Sequence, residues 1–129
     1  MERIEEFSSG GENFVYIDFS GYKSLDEFSA LIEQIKPVIA KHPENSVNTI
    51  TNIDSSRFDT DIKDIFVTYM KHNKPYVKYG VVIGMDGIKK IMANAVIKIC
   101  GRKNMSFTFT REQAIEWVLA QKQAPARRP

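Results

Sequence analysis

Residues 78–109, KYGVVIGMDGIKKIMANAVIKICGRKNMSFTF, decide the fold: they read in turn as a buried strand, a tight turn, a long amphipathic helix and a second strand. Val81, Val82 and Ile83 form a β-branched run closed by Gly84, the pattern of a strand covered on both faces. After Met85-Asp86-Gly87, apolar residues recur at Ile88, Ile91, Met92, Ala95, Val96 and Ile99, the spacing of a helix with one buried stripe. Gly101 then ends the helix. Strand, helix and strand within about 30 residues make a βαβ unit, whose crossover is right-handed in nearly every known case.

On the N-terminal side, Gly10-Gly11 separates residues 2–7 from the apolar run Phe14-Val15-Tyr16-Ile17-Asp18-Phe19, which predicts a hairpin. Ser24 with Glu27 is a capping box for a helix carrying Leu25, Phe28, Leu31, Ile32, Ile35 and Ile39. Pro37 removes a backbone donor and is expected to kink or split its last turns. Residues 47–53, VNTITNI, read as a strand on their β-branched content, although they hold more Thr and Asn than a strand buried on both faces normally carries.

A second helix opens at Asp59 or Thr60 and presents Ile62, Ile65, Phe66, Val67, Tyr69 and Met70. At about 100° per residue these span roughly 200°, where one sheet-packing stripe needs about 100°. The surplus points to a second job: covering a pocket, meeting another subunit, or touching a membrane. Toward the C-terminus, residues 105–109 give the last strand, and Thr110 with Gln113 caps a final helix built on Ala114, Trp117, Val118 and Gln121. Residues 1–122 make one domain, and 123–129 read as a disordered tail. The expected architecture is an α/β domain with a mixed sheet of about five strands and four main helices, in the order ββαβαβαβα.

Of the 129 residues, 43% are apolar and 26% charged, ordinary for a soluble globular chain. No apolar run approaches the roughly 20 residues of a membrane span, and the acidic opening MERIEEF lacks the basic and apolar regions of a signal peptide. A single Cys100 cannot form an internal disulfide. These features predict a cytoplasmic protein, or one peripheral to the inner face of the membrane. The net charge of +2 hides a division: residues 1–64 carry 6 Lys/Arg against 13 Asp/Glu, a balance of −7, leaving 12 against 3, or +9, for residues 65–129.

No constellation for catalysis stands out. His42 and His72 lie far apart without ligand spacing, which argues against a metal site, and Cys100 reads as packing in a helical stripe. The Gly84-Met85-Asp86-Gly87 turn lacks both the dinucleotide fingerprint and the P-loop ending, so Asp86 reads as a helix N-cap. Asp18, Asn52 and Asp54 sit near strand ends, where they either satisfy loop backbone or face a ligand. Lys90, Asn94 and Lys98 share a polar helix face, but no nucleic-acid module accompanies them. With no nucleophile, base and orienter to name together, a non-enzyme without cofactor is expected.

Two stretches, ENFVYIDFSGYKSLDEF and NKPYVKYGVVIGMDGIKKIMANAVIKICGRKNMSFTFTREQAIEWVL, resemble the SpoIIAA-like branch of the STAS fold over about residues 12–120. The resemblance is strongest from Pro75 onward: Pro-Tyr-Val before the strand, Val-Val-Ile-Gly before the helix, and the closing Phe-Thr-Phe-Thr-Arg-Glu-Gln-Ala-Ile-Glu-Trp. It implies a small mixed sheet backed by helices and a non-enzymatic protein, with proposed roles in carrying small apolar molecules and associating with membranes. In anti-sigma-factor antagonists of the wider group, a phosphorylatable serine lies in an Asp-Ser-Ser-Gly turn. Here Asp54-Ser55-Ser56 is followed by Arg57-Phe58, without the glycine.

The expectations are therefore specific. An apolar ligand is to be held by Ile62, Phe66, Tyr69, Met70, Ile88 and Met92. Lys71, Lys74, Lys90 and Lys98 are to meet an anionic membrane while Phe66 or Tyr69 inserts. The alternative is a partner-binding regulator switched by phosphorylation at Ser55 or Ser56. A homodimer is a further candidate for the surplus apolar surface.

Overall fold

The hairpin at the N-terminus joins β1 (Ile4–Ser9) to β2 (Glu12–Asp18) through Gly10 and Gly11, both with positive φ, as a two-residue turn matched to strand twist requires. This computed structural model describes residues 2–99, 101 and 104–123, and the side chains of 88, 89, 92, 93, 96, 99, 122 and 123 lie outside the description. Beyond the hairpin come α1 (Leu25–Ala40), β3 (Val47–Asn52), α2 (Thr60–Asn73), β4 (Val77–Ile83), α3 (Gly87–Ile99), β5 (Met105–Thr108) and α4 (Arg111–Gln123). The five strands form one mixed sheet in the order β1-β2-β3-β4-β5, antiparallel at β1–β2 and parallel elsewhere.

Because β2 to β5 advance across the sheet in one direction, right-handed crossovers place α1, α2 and α3 on the same face. There α1 packs on α2 and α2 on α3, while α4 packs alone on the other face against β3, β4 and β5. The alternation along each strand divides two cores. Val15, Ile17, Val47, Ile53 and Val77 join Phe28, Ile35, Ile39, Ile62 and Phe66 on the three-helix side. Phe14, Ile50, Val81 and Ile83 join Ala114 and Val118 under α4.

Local signals act as their chemistry dictates. Ser24 Oγ accepts from the Glu27 N–H and the Glu27 carboxylate accepts from Ser24 N–H, so the capping box closes. The same pairing joins Thr110 to Gln113 ahead of α4. Asp59 caps α2 by accepting from Ile62 N–H at 3.1 Å. Gly84, at φ +82°, brings the end of β4 against the turn after β3: a Cβ there would stand 2.6 Å from Asp54 N.

Three expectations need correction. The chain does not split at Pro37; α1 runs on to Ala40. Ile91 and Ala95 are not in a buried stripe, since Ala95 is exposed and Ile91 is 72% exposed. On α3, Ile97 is the described side chain that turns inward. Gln123 belongs to α4, not to a tail, and residues 124–129, like Cys100, Arg102 and Lys103, lie outside the description. Much of the width of the α2 apolar arc is used within the layer: α2 is the middle helix and packs against α1 and α3 as well as the sheet.

Candidate functional site: an apolar cavity beneath α2 and α3

Two rows of side chains cross the helix-layer face of the sheet in register. One runs Val15, Thr49, Gly80, Met105 and the other Ile17, Thr51, Val82, Phe107. Toward β5 these rows include small members, the glycine and the two threonines, so sheet and helices do not close completely. A partly open cavity of about 50 Å³ results. A single water needs about 10–15 Å³, so the space admits a few heavy atoms. Its floor is Thr49, Thr51, Val77, Val82 and Met105, and its roof is Phe66, Tyr69, Met70 and Asn73 of α2 with Ile97 of α3. Ile53, Phe58 and Met85 close the end where the strands finish.

The walls differ in stiffness. Phe66 stands in an aromatic cluster, 5.1 Å from Phe19, 5.8 Å from Phe28, 5.8 Å from Phe58 and 6.0 Å from Tyr69 between ring centroids. Rings packed edge to face resist displacement. Distributed over roof, end and floor are the thioethers of Met70, Met85 and Met105, unbranched side chains that re-pack at little cost. No described lining residue is charged.

Tyr69 is the polar exception. It is 3% exposed, and its hydroxyl has no hydrogen-bond partner among the described residues. Burial pushes the phenol pKa up, and the Asn73 side-chain amide beside it, acting as a donor toward the phenol oxygen, opposes that shift; the group stays protonated and its O–H has no acceptor among the described residues. The Asn73 Oδ1 instead lies 3.0 Å from His72 Nδ1. A second buried atom without a partner, Asn48 Oδ1, is on the α4 face beside the Glu12–Lys78 pair and away from the cavity.

Of the six predicted ligand contacts, Phe66, Tyr69 and Met70 line the cavity. Ile62 is fully buried in the main core and is not part of the lining. The side chains of Ile88 and Met92 lie outside the description. Sequence reasoning missed the sheet floor, Phe58, Asn73, Met85 and Ile97. One signal was available: the threonines that made residues 47–53 an odd buried strand are Thr49 and Thr51, which face the cavity. Their neighbours Asn48 and Asn52 point the other way, where Asn52 Nδ2 donates to the Tyr16 hydroxyl at 3.0 Å and Asn48 Nδ2 to Asn13 O at 3.0 Å.

The remaining candidates are placed as follows. Ser56 is buried and its hydroxyl donates to Ile53 O at 2.7 Å. Ser55 is exposed at φ +58°, with Lys23 Nζ donating to its carbonyl at 2.6 Å. Lys71, Lys74 and Lys98 are exposed near one end of the helix layer, where Lys74 Nζ approaches Gly101. Lys90 is separated from Lys98 by about 12 Å along α3 and sits over the Phe107 ring at 5.7 Å. Phe66 and Tyr69 are buried, so neither is positioned to enter a bilayer, a correction to that expectation. Among the described residues no helix is long and apolar enough to cross a membrane. Asp18 and Asn52 serve backbone at the strand ends, accepting from Ser20 N–H and Asp54 N–H. Acidic residues of the first half meet basic residues of the second at Glu5–Arg111, 3.0 Å, and Glu12–Lys78, 3.4 Å.

Comparison with known proteins adds no relative: no family model and no curated protein matches this chain.

Proposed function

We propose that this is a STAS-like, non-enzymatic binding protein that carries a small apolar molecule between the sheet and the α2–α3 roof, and that it associates reversibly with membranes. The observation that carries the reading is the uncharged cavity whose lining combines the packed Phe66–Tyr69–Phe58 rings with three thioethers, Met70, Met85 and Met105. Apolar lining with few polar groups is the make-up of a ligand pocket rather than of a catalytic centre. At about 50 Å³ the cavity accepts the leading end of a ligand, and displacement of Met70, Met85 and Met105 enlarges it. The element order and the mixed five-stranded sheet support the STAS-like reading. Native mass spectrometry of protein isolated from its own cells, followed by solvent extraction, is expected to release a bound apolar molecule. Protein that is consistently empty and ignores apolar probes contradicts the proposal.

A regulator switched by phosphorylation is the second reading, and exposure favours Ser55 over the buried, hydrogen-bonded Ser56. Lys23, already at the Ser55 carbonyl, supplies a cation for a phosphate there. Substituting Ser55 with Asp or Ala is expected to change the partners captured by the protein if this reading holds, and to change none if the carrier reading is complete.

A further inference from the structure

A buried hydroxyl without a partner is costly, because desolvation removes its hydrogen bonds to water and nothing returns them. Among the described residues the Tyr69 hydroxyl, at the lining of the cavity, has the Asn73 amide beside it as a donor but no acceptor for its own hydrogen. Its phenol stays protonated at any ordinary pH, so what it lacks is an acceptor. No charged side chain among the described lining residues stands ready to balance an anion. The threonine floor and Asn73 add neutral polarity only.

We infer that Tyr69 is the anchor of the cavity, and that the ligand class is a small apolar molecule bearing one neutral hydrogen-bond acceptor, such as a ketone, ester or ether oxygen, rather than a pure hydrocarbon or a carboxylate. The inference rests on the carrier reading and adds the chemistry of the ligand head. Phe66 and the thioethers hold the apolar body, and the Tyr69 O–H donates to the acceptor.

The test uses cyclopentanone and methylenecyclopentane, which differ by a carbonyl oxygen in place of a methylene carbon, with cyclopentanecarboxylate as the charged probe. Each is titrated into wild-type protein and Tyr69→Phe, and binding is followed on the methionine methyl resonances. Comparing one probe across the two proteins cancels its own cost of leaving water. The substitution is expected to weaken the ketone about five- to tenfold while leaving the hydrocarbon unchanged or tighter. Hydrocarbon binding to Tyr69→Phe also reports that the variant is folded. Equal effects on ketone and hydrocarbon overturn the anchor and leave the apolar site standing. A carboxylate that binds more tightly than the ketone overturns the neutral-acceptor assignment. Failure of both neutral probes to bind wild-type protein overturns the carrier reading itself.

Discussion

The Met105 thioether lies directly over Gly80: a Cβ at position 80 would stand 2.6 Å from Met105 Sδ and 3.1 Å from Thr49 Oγ1. The absence of a side chain at this point of β4 therefore lets Met105 lie flat on the sheet as part of the cavity floor. Gly80→Ala should push the flexible thioether up into the cavity without breaking the strand, since Gly80 is not among the glycines with positive φ. The expected result is a stability change within about 1 kcal/mol, read from the denaturation midpoint, with a loss of apolar-probe binding of tenfold or so. Unchanged probe affinity would show that Met105 does not define the floor.

Gly84 offers the contrasting case. Its φ of +82° and the 2.6 Å approach of a built Cβ to Asp54 N involve backbone on both sides, which cannot step aside. Gly84→Ala should cost more than about 2 kcal/mol in chemical denaturation. A loss smaller than about 0.5 kcal/mol would mean that the junction between the ends of β3 and β4 is not as close as described.

Tyr69→Phe is expected to stabilise the empty protein. Removing a buried hydroxyl that lacks an acceptor among the described residues relieves its desolvation cost of about 1 kcal/mol or more while keeping the ring contacts with Phe19 and Phe66. The denaturation midpoint should rise with an unchanged slope. A fall of similar size would mean that the hydroxyl is satisfied in the folded protein and that the cavity does not need an acceptor.

These consequences show where sequence was sufficient. Capping boxes at Ser24 and Thr110, the Gly10-Gly11 turn and the αβ alternation are local signals, each read within a few residues, and each forms. The cavity is not local. Thr49 and Met105 meet across Gly80 only after three parallel strands have settled in register, and no periodicity within one segment reports that. The wide arc of α2 points to a second job without saying which: its flanks meet α1 and α3, and Phe66, Tyr69 and Met70 roof the cavity. On α3 the apolar spacing points to a buried stripe through Ile91 and Ala95, but apolar residues also lie on other sides of the helix, and it is Ile97 that turns to the cavity while Ile91 faces solvent.

The proposed membrane association rests on charge, since Phe66 and Tyr69 are buried. Lys71, Lys74 and Lys98 share one end of the helix layer, and each cation near an anionic leaflet contributes about 1 kcal/mol. Sedimentation with anionic liposomes should be salt-sensitive, weak with neutral liposomes, and reduced by combining Lys71→Glu with Lys74→Glu. Equal binding to both liposome types, or none at low salt, removes this part of the proposal.

The central claim is that the space beneath α2 and α3 takes an apolar guest, and the methionine methyl groups around it are placed to report one. Protein labelled at those methyls and titrated with benzene should show saturable shifts at Met70, Met85 and Met105. Resonances of these three that stay unmoved up to the solubility of benzene would contradict the account.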